Sequence, residues 1–264
     1  MAIPAGFALF PGRVPVGAAK NGGNVMRCAS WLAAGLFLAG SIGGAAARPV
    51  DRARLDALIA QAERTDPTGD PAGYLRTREA ALAEARRIFP AGHPEIAVRE
   101  QEVATGLAAA QRFDEAEAAL ARVIPALRDA GAPYAQAMRD AIDLSGYIAT
   151  YRGDHARAVA FFEQEVASYR AEGGAGKGHA TALSNLAAAS WEAGDSSRAL
   201  DLNRAALDMA AGLDPRPADG AMWYANRMAY LRGLGRIEEA IEAGQDGLLY
   251  AAGLIPETHP LLAN

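Results

Sequence analysis

Four short segments of this chain, centred on Gln111, Gly153, Gly194 and Gly235, recur at intervals of 42, 41 and 41 residues. Five residues after each stands an alanine: Ala116, Ala158, Ala199 and Ala240. Seven residues before each stand Ala104, Gly146, Ala187 and Met228, of which three are small. Between these landmarks, apolar and small residues return at helical spacing. In the best-formed copy, residues 179–212, Leu183, Leu186, Ala187 and Ser190 share one stripe, and Ala199, Leu202, Ala206 and Ala210 share another. Each copy therefore reads as two amphipathic helices joined by a tight turn. One short hairpin cannot bury both stripes, so each copy needs its neighbours. A fixed period of this length means an all-α solenoid of antiparallel helix pairs. The alanine belongs where the two helices of a copy cross, because a large side chain there would hold them apart.

The rest of the chain fits around this array. His93-Pro94 opens the first clear unit, whose second helix starts at Phe113-Asp114-Glu115, and Ala132-Pro133-Tyr134 opens the second. Gly173 to Gly178 leads into the third, and Asp214-Pro215-Arg216-Pro217 into a fourth with helices at about 219–233 and 236–251. Four repeats are thus expected over 93–253. Residues 48–92 lack the landmarks but carry two apolar stripes. One holds Leu55, Leu58, Ile59 and Ala62; the other holds Tyr74, Leu75, Ala81, Leu82, Ala85 and Ile88. They read as a degenerate repeat capping the array, with a break at 65–71 where proline and glycine end a helix. His259-Pro260 marks 254–264 as the start of a further repeat, so the array is expected to be a piece of a longer one.

The first 47 residues differ from all of this. Residues 26–47 run from a short basic start at Met26-Arg27 through the apolar stretch 31–42 to Ala45-Ala46-Ala47, the three-part pattern of a signal peptide. The alternative, a membrane anchor, asks for a longer and less glycine-rich run. Residues 1–25 then read as an extension ahead of the true start at Met26. Cleavage before Arg48 removes Arg13, Lys20, Arg27 and the one cysteine, Cys28, and no acid; the net charge moves from −5 to −8. The expected location is the periplasm or beyond, with no stable membrane span, no disulfide and no thiolate metal site. An acidic chain without a basic cluster is not built for nucleic acid.

The unit 183–207 resembles a tetratricopeptide repeat (TPR) of the long type found in kinesin light chains and many bacterial proteins. Leu183, Asn185, Leu186, Ala187, Gly194, Ala199, Leu202, Ala206 and Leu207 carry the resemblance, which extends over roughly 93–264. It implies a right-handed superhelical solenoid and a concave groove that takes an extended peptide. It also implies that Asn185 and Asn226, each nine residues before its turn glycine, grip the peptide backbone, since an amide donates and accepts at once. Leu144, Glu102 and Gln111 depart from the pattern in the first two units.

Candidate chemistry is sparse. The loop 173–178 lacks the glycine, the Ser or Thr and the preceding strand of a phosphate-binding loop. Three of the four histidines, His93, His179 and His259, sit at repeat openings, where they cap or pack the turn, and no close ligand pair exists. Carboxylates cluster at helix starts, where the helix dipole favours them. No catalytic residue, cofactor or metal is assigned.

What is left is the concave face, lined by first helices. The period places Asp143, Tyr147, Thr150 and Tyr151 there from the second unit. The third supplies Ser184, Asn185, Ala188, Trp191 and Glu192, and the fourth Ala225, Asn226, Ala229 and Arg232. The binding residues expected are Asn185, Asn226, Trp191, Tyr147, Tyr151 and Arg232. Two bland readings stand beside this one: the asparagines bond neighbouring repeats, and the aromatic residues pack between them. The function expected is an exported, non-enzymatic scaffold for a partner's peptide. The alternative is the regulatory part of a larger protease- or kinase-type enzyme continuing past Asn264.

Overall fold

The computed structural model describes residues 49–67 and 69–253. The expected leader at 1–47, its cleavage point and the opening of a further repeat at 254–264 lie outside the described residues. Among the described residues there are ten α-helices and no strand: α1 Pro49–Glu63, α2 Pro71–Ile88, α3 Pro94–Ala109, α4 Phe113–Ala130, α5 Ala135–Tyr151, α6 His155–Ala171, α7 Lys177–Glu192, α8 Ser196–Ala211, α9 Gly220–Gly233 and α10 Ile237–Ala252. They form two compact units, one holding α1–α4 and the other, from Gly131 on, holding α5–α10. Within each unit every helix packs on the next in sequence. The architecture is an all-α helical-repeat solenoid.

The repeat landmarks become geometry at the turns. Gly153, Gly194 and Gly235 have φ of 74°, 89° and 73°, and Gln111 adopts the same left-handed conformation at 58°. Each first helix then closes with one bond pattern, the N–H after the turn residue reaching back five residues. Arg112 donates to Leu107 O, Asp154 to Ala149 O, Asp195 to Ser190 O and Arg236 to Leu231 O, at 2.8–2.9 Å. This satisfies carbonyls that a helix end leaves without partners. The second helices begin in two ways. Asp154 and Asp195 accept from the backbone N–H of Arg157 and Arg198. Arg112 and Arg236 instead form paired contacts with Glu115 and Glu239 three residues on. An acid caps the middle two helices; an arginine holding an acid stands there in the outer two.

The four alanines are buried, with Ala116, Ala158 and Ala199 at zero exposure and Ala240 at 5%. The small residue seven before the turn faces a position sixteen residues later, and there sizes are exchanged. A Cβ on Gly146 would meet the Phe162 ring at 2.6 Å, and a Cβ on Gly244 would meet Met228 Sδ at 3.1 Å. Glycine opposes phenylalanine in one copy and methionine opposes glycine in another. Met228 therefore breaks the sequence pattern without spreading the helices: its volume occupies the space Gly244 vacates.

The repeat-opening histidines do what that position asks. His93 Nδ1 accepts from Glu95 N at 3.2 Å and the ring stacks on Phe89 at 4.3 Å. His179 is bonded through Nδ1 to Gly174 O at 2.8 Å and stacks on Tyr169.

Candidate interaction face

In the unit from Gly131, the first helices α5, α7 and α9 carry the residues expected to line a groove. On α5, Asp143, Tyr147 and Tyr151 lie four residues apart and so on one face. Asp143 and Tyr147 are half-buried, while Tyr151 is 59% exposed. Burial, and secondarily the neighbouring Tyr151, pushes the Tyr147 phenol above its ordinary pKa. Thr150 turns its hydroxyl back to Gly146 O on its own helix.

On α7 the face is closed more tightly than the period suggested. Every residue from His179 to Ser190 except Thr181 is buried, Ser184 and Ala188 included. Asn185 is buried too, and its Nδ2 donates to Asp143 Oδ1 at 2.9 Å, across to the first helix of the preceding repeat. The asparagine thus bonds a neighbouring repeat, and what it keeps for a ligand is its carbonyl oxygen and one N–H. Asn226, one period later, is only 4% exposed. Trp191 is half-buried and stacks on Tyr230 of α9, with centroids 4.8 Å apart. A Cβ on Gly233 would meet its indole at 2.7 Å. One face of the Trp191 ring is thus occupied by inter-repeat packing, the second of the two readings open for it, and the absence of a side chain at Gly233 makes room for its edge. Arg232 is exposed at the end of α9. The six expected residues therefore divide into buried asparagines, a packed tryptophan and an open rim of Tyr151 and Arg232, with Tyr147 between.

Three structurally important residues escaped the sequence reading. Asp143 entered only as a groove position, not as the partner of Asn185. Tyr230 is fully buried, without a partner for its hydroxyl among the described residues. Asn203 in α8 is also fully buried and donates from Nδ2 to Trp223 O of α9 at 2.9 Å, tying consecutive repeats together. Its signal was available: it stands four residues after Ala199 and three before Ala206, in phase with an apolar stripe.

In the unit of α1–α4 the position equivalent to Asn185 is Glu102. Burial raises its pKa, opposed by Arg99 and Arg78. Arg99 Nη1 lies 2.8 Å from Glu102 Oε1, and Arg78 lies over the Tyr74 ring while donating to Ala62 O. An amide in one unit is replaced by a half-buried ion-pair cluster in the other. Among the described residues no helix is long and apolar enough to cross a membrane.

No protein-family model matches the chain, and no curated protein matches it by sequence. Solved structures do. BtubC (BKLC) from P. vanneervenii is 17% identical, with a TM-score of 0.67 over 80% of this chain and 87% of that one. A putative kinesin light chain of Podosopora anserina with nearly identical TPR-like repeats is 18% identical, with a TM-score of 0.63 over 76% of this chain and 96% of that one. A point variant of the same light chain gives 0.64. The chain is thus similar to kinesin-light-chain-like TPR repeat proteins, and this likeness shows its fold.

Proposed function

We propose that this chain is an exported, non-enzymatic scaffold that holds a peptide segment of a protein partner along the face of α5, α7 and α9. A TPR-like repeat scaffold points to protein–protein interaction in general; the finer reading rests on one observation. Asp143 and Asn185, on consecutive first helices, are bonded at 2.9 Å, on the α5 face that carries Tyr147 and the exposed Tyr151. A carboxylate, an amide with unused donor and acceptor capacity and two phenols in one row offer hydrogen bonds to a peptide backbone and apolar surface to its side chains. Export enters from the sequence pattern of 26–47.

Capture by residues 48–264, followed by mass spectrometry, identifies the partner, and titration of variants then tests the face. Asn185→Ala with Asn226→Ala is expected to weaken binding by about 0.5–1.5 kcal/mol per hydrogen bond lost. Because both asparagines are buried, Tyr151→Ala is the companion variant. Its side chain is mostly exposed, so the fold stays intact while binding falls by about 1 kcal/mol or more. Unchanged affinity in both variants would move the partner to another face. For export, N-terminal sequencing of the exported protein should read Arg48-Pro49-Val50; an intact Met26 start in the cytoplasmic fraction would overturn it.

A further inference from the structure

A cavity of about 360 Å³ lies between the start of α8 and the turn joining α9 to α10, away from the Asp143–Tyr151 row. Three arginines line it from three separate elements: Arg204 of α8, Arg227 of α9 and Arg236 of the turn. The hydroxyl-bearing Ser196 and Ser197, the side chain of Asp201, and Leu200 and Leu234 complete the wall. The cations are not equally engaged. Arg204 holds Asp201 at 3.0 Å, and Arg236 is paired through two nitrogens with Glu239. Arg227 makes no hydrogen bond and no close ion pair among the described residues, although its charge reaches Glu239 and Tyr224 and favours their ionised forms; the Ser196 and Ser197 hydroxyls likewise have no hydrogen bond among those residues. Against these three arginines stand Asp201 in the wall and Glu239 beside it, which leaves the site with one positive charge in excess.

We infer that this cavity binds a phosphomonoester. A dianion with three terminal oxygens matches what is uncommitted here. The Arg227 fork takes one edge, the two serine hydroxyls donate to another oxygen, and Arg204 and Arg236 supply field while keeping their carboxylates. Leu200 and Leu234 give the carbon stem of an ester something to lie against, which bare phosphate does not need. The volume suits a phosphoryl group with a few carbons. The ester is carried either by a phosphorylated serine of a peptide or by a small metabolite; the recognition chemistry is the same. This site does not depend on the peptide-groove reading.

The test is calorimetric titration of the full chain with glycerol 2-phosphate and with a short phosphoserine peptide, beside the unphosphorylated and glutamate forms of that peptide. Saturable binding of either phosphorylated probe, weakening with added salt, is expected. Arg227→Gln should reduce it at least about tenfold by removing charge-assisted hydrogen bonds, whereas Arg170→Gln, at an exposed position of α6, should leave it unchanged. If Arg227→Gln fails to fold, Ser197→Asp serves instead: a carboxylate suits a helix start but repels the phosphoryl group. Binding of only one probe identifies the source of the ester. No saturable binding, equal binding of the glutamate peptide, or full binding by both variants would overturn the assignment.

Discussion

The pairs α7–α8 and α9–α10 are copies of one unit, 41 residues apart, yet they bury their apolar residues very differently. α7 is packed by α6, α8 and α9, and it is buried almost all round, with Leu183 and Leu186 each at 3% exposure. α10 packs on α9, and it leaves Ile241, Leu248 and Leu249 56%, 74% and 71% exposed. The helices do not differ in apolar content enough to explain this. Among the described residues, what differs is the number of neighbours. In a solenoid a helix's burial is supplied by the repeats on either side, so equivalent positions have unequal worth along the array: Leu207 of α8 is 7% exposed and Leu248, one period later, 74%.

The largest effect separating the two pairs is expected from truncating one leucine in each. Leu183→Ala removes a side chain from a closed interior and should cost about 2–5 kcal/mol. Leu248→Ala removes one that water already reaches and should stay within about 0.5 kcal/mol. Urea midpoints of the two variants decide it. Equal losses would mean that the outer face of α10 is covered in the folded chain.

The same contrast explains what was legible in the sequence. Turn and crossing landmarks depend on local backbone, so Gly153, Gly194, Gly235 and the four alanines could be read from spacing alone. The groove depends on how far neighbouring helices rotate against each other, and spacing does not contain that angle. A small rotation takes Asn185 from an open face to a bond with Asp143 and takes Trp191 onto Tyr230. Met228 stood in the sequence only as the one large member of its set, because its compensating Gly244 lies sixteen residues away on the other helix. The Arg227 cavity was invisible for a similar reason, since its three arginines come together only when α8, α9 and the following turn are assembled.

At the turns the comparison extends to the first repeat. Gly194 and Gly235 hold φ of 89° and 73° without a side chain, while Gln111 holds 58° with one. A left-handed conformation costs a residue with a Cβ about 1–2 kcal/mol, offset in part because glycine loses more freedom on folding. Gln111→Gly should therefore raise stability by roughly 1 kcal/mol. Gly194→Ala should lower it by a similar amount, although nothing crowds a Cβ there. A lower melting temperature for Gln111→Gly would show that the glutamine side chain makes a contact that outweighs the strain.

The finest distinction concerns two tyrosines, one on each helix of the last pair. Tyr250 is 7% exposed and donates its hydroxyl to Pro217 O at 2.8 Å, anchoring the loop before α9. Tyr230 is wholly buried against Trp191, and its hydroxyl has no hydrogen-bond partner among the described residues. Tyr250→Phe should cost about 0.5–1.5 kcal/mol, the net worth of one hydrogen bond. Tyr230→Phe keeps the stacked ring and removes an unpaired polar group, so stability should hold or rise, burial of an unpaired hydroxyl costing about 1–3 kcal/mol. Alkaline pH sharpens the test. Burial, then the nearby Glu192, raises the Tyr230 pKa in the folded chain. Above the ordinary tyrosine value the unfolded chain releases this proton and the folded chain retains it, so stability falls as pH rises. Tyr230→Phe should flatten that fall, measured by urea unfolding at about pH 8 and above about pH 10, on either side of the ordinary tyrosine value. An unchanged alkaline slope, together with a loss at the lower pH as large as that of Tyr250→Phe, would mean that the Tyr230 hydroxyl has a partner inside the fold.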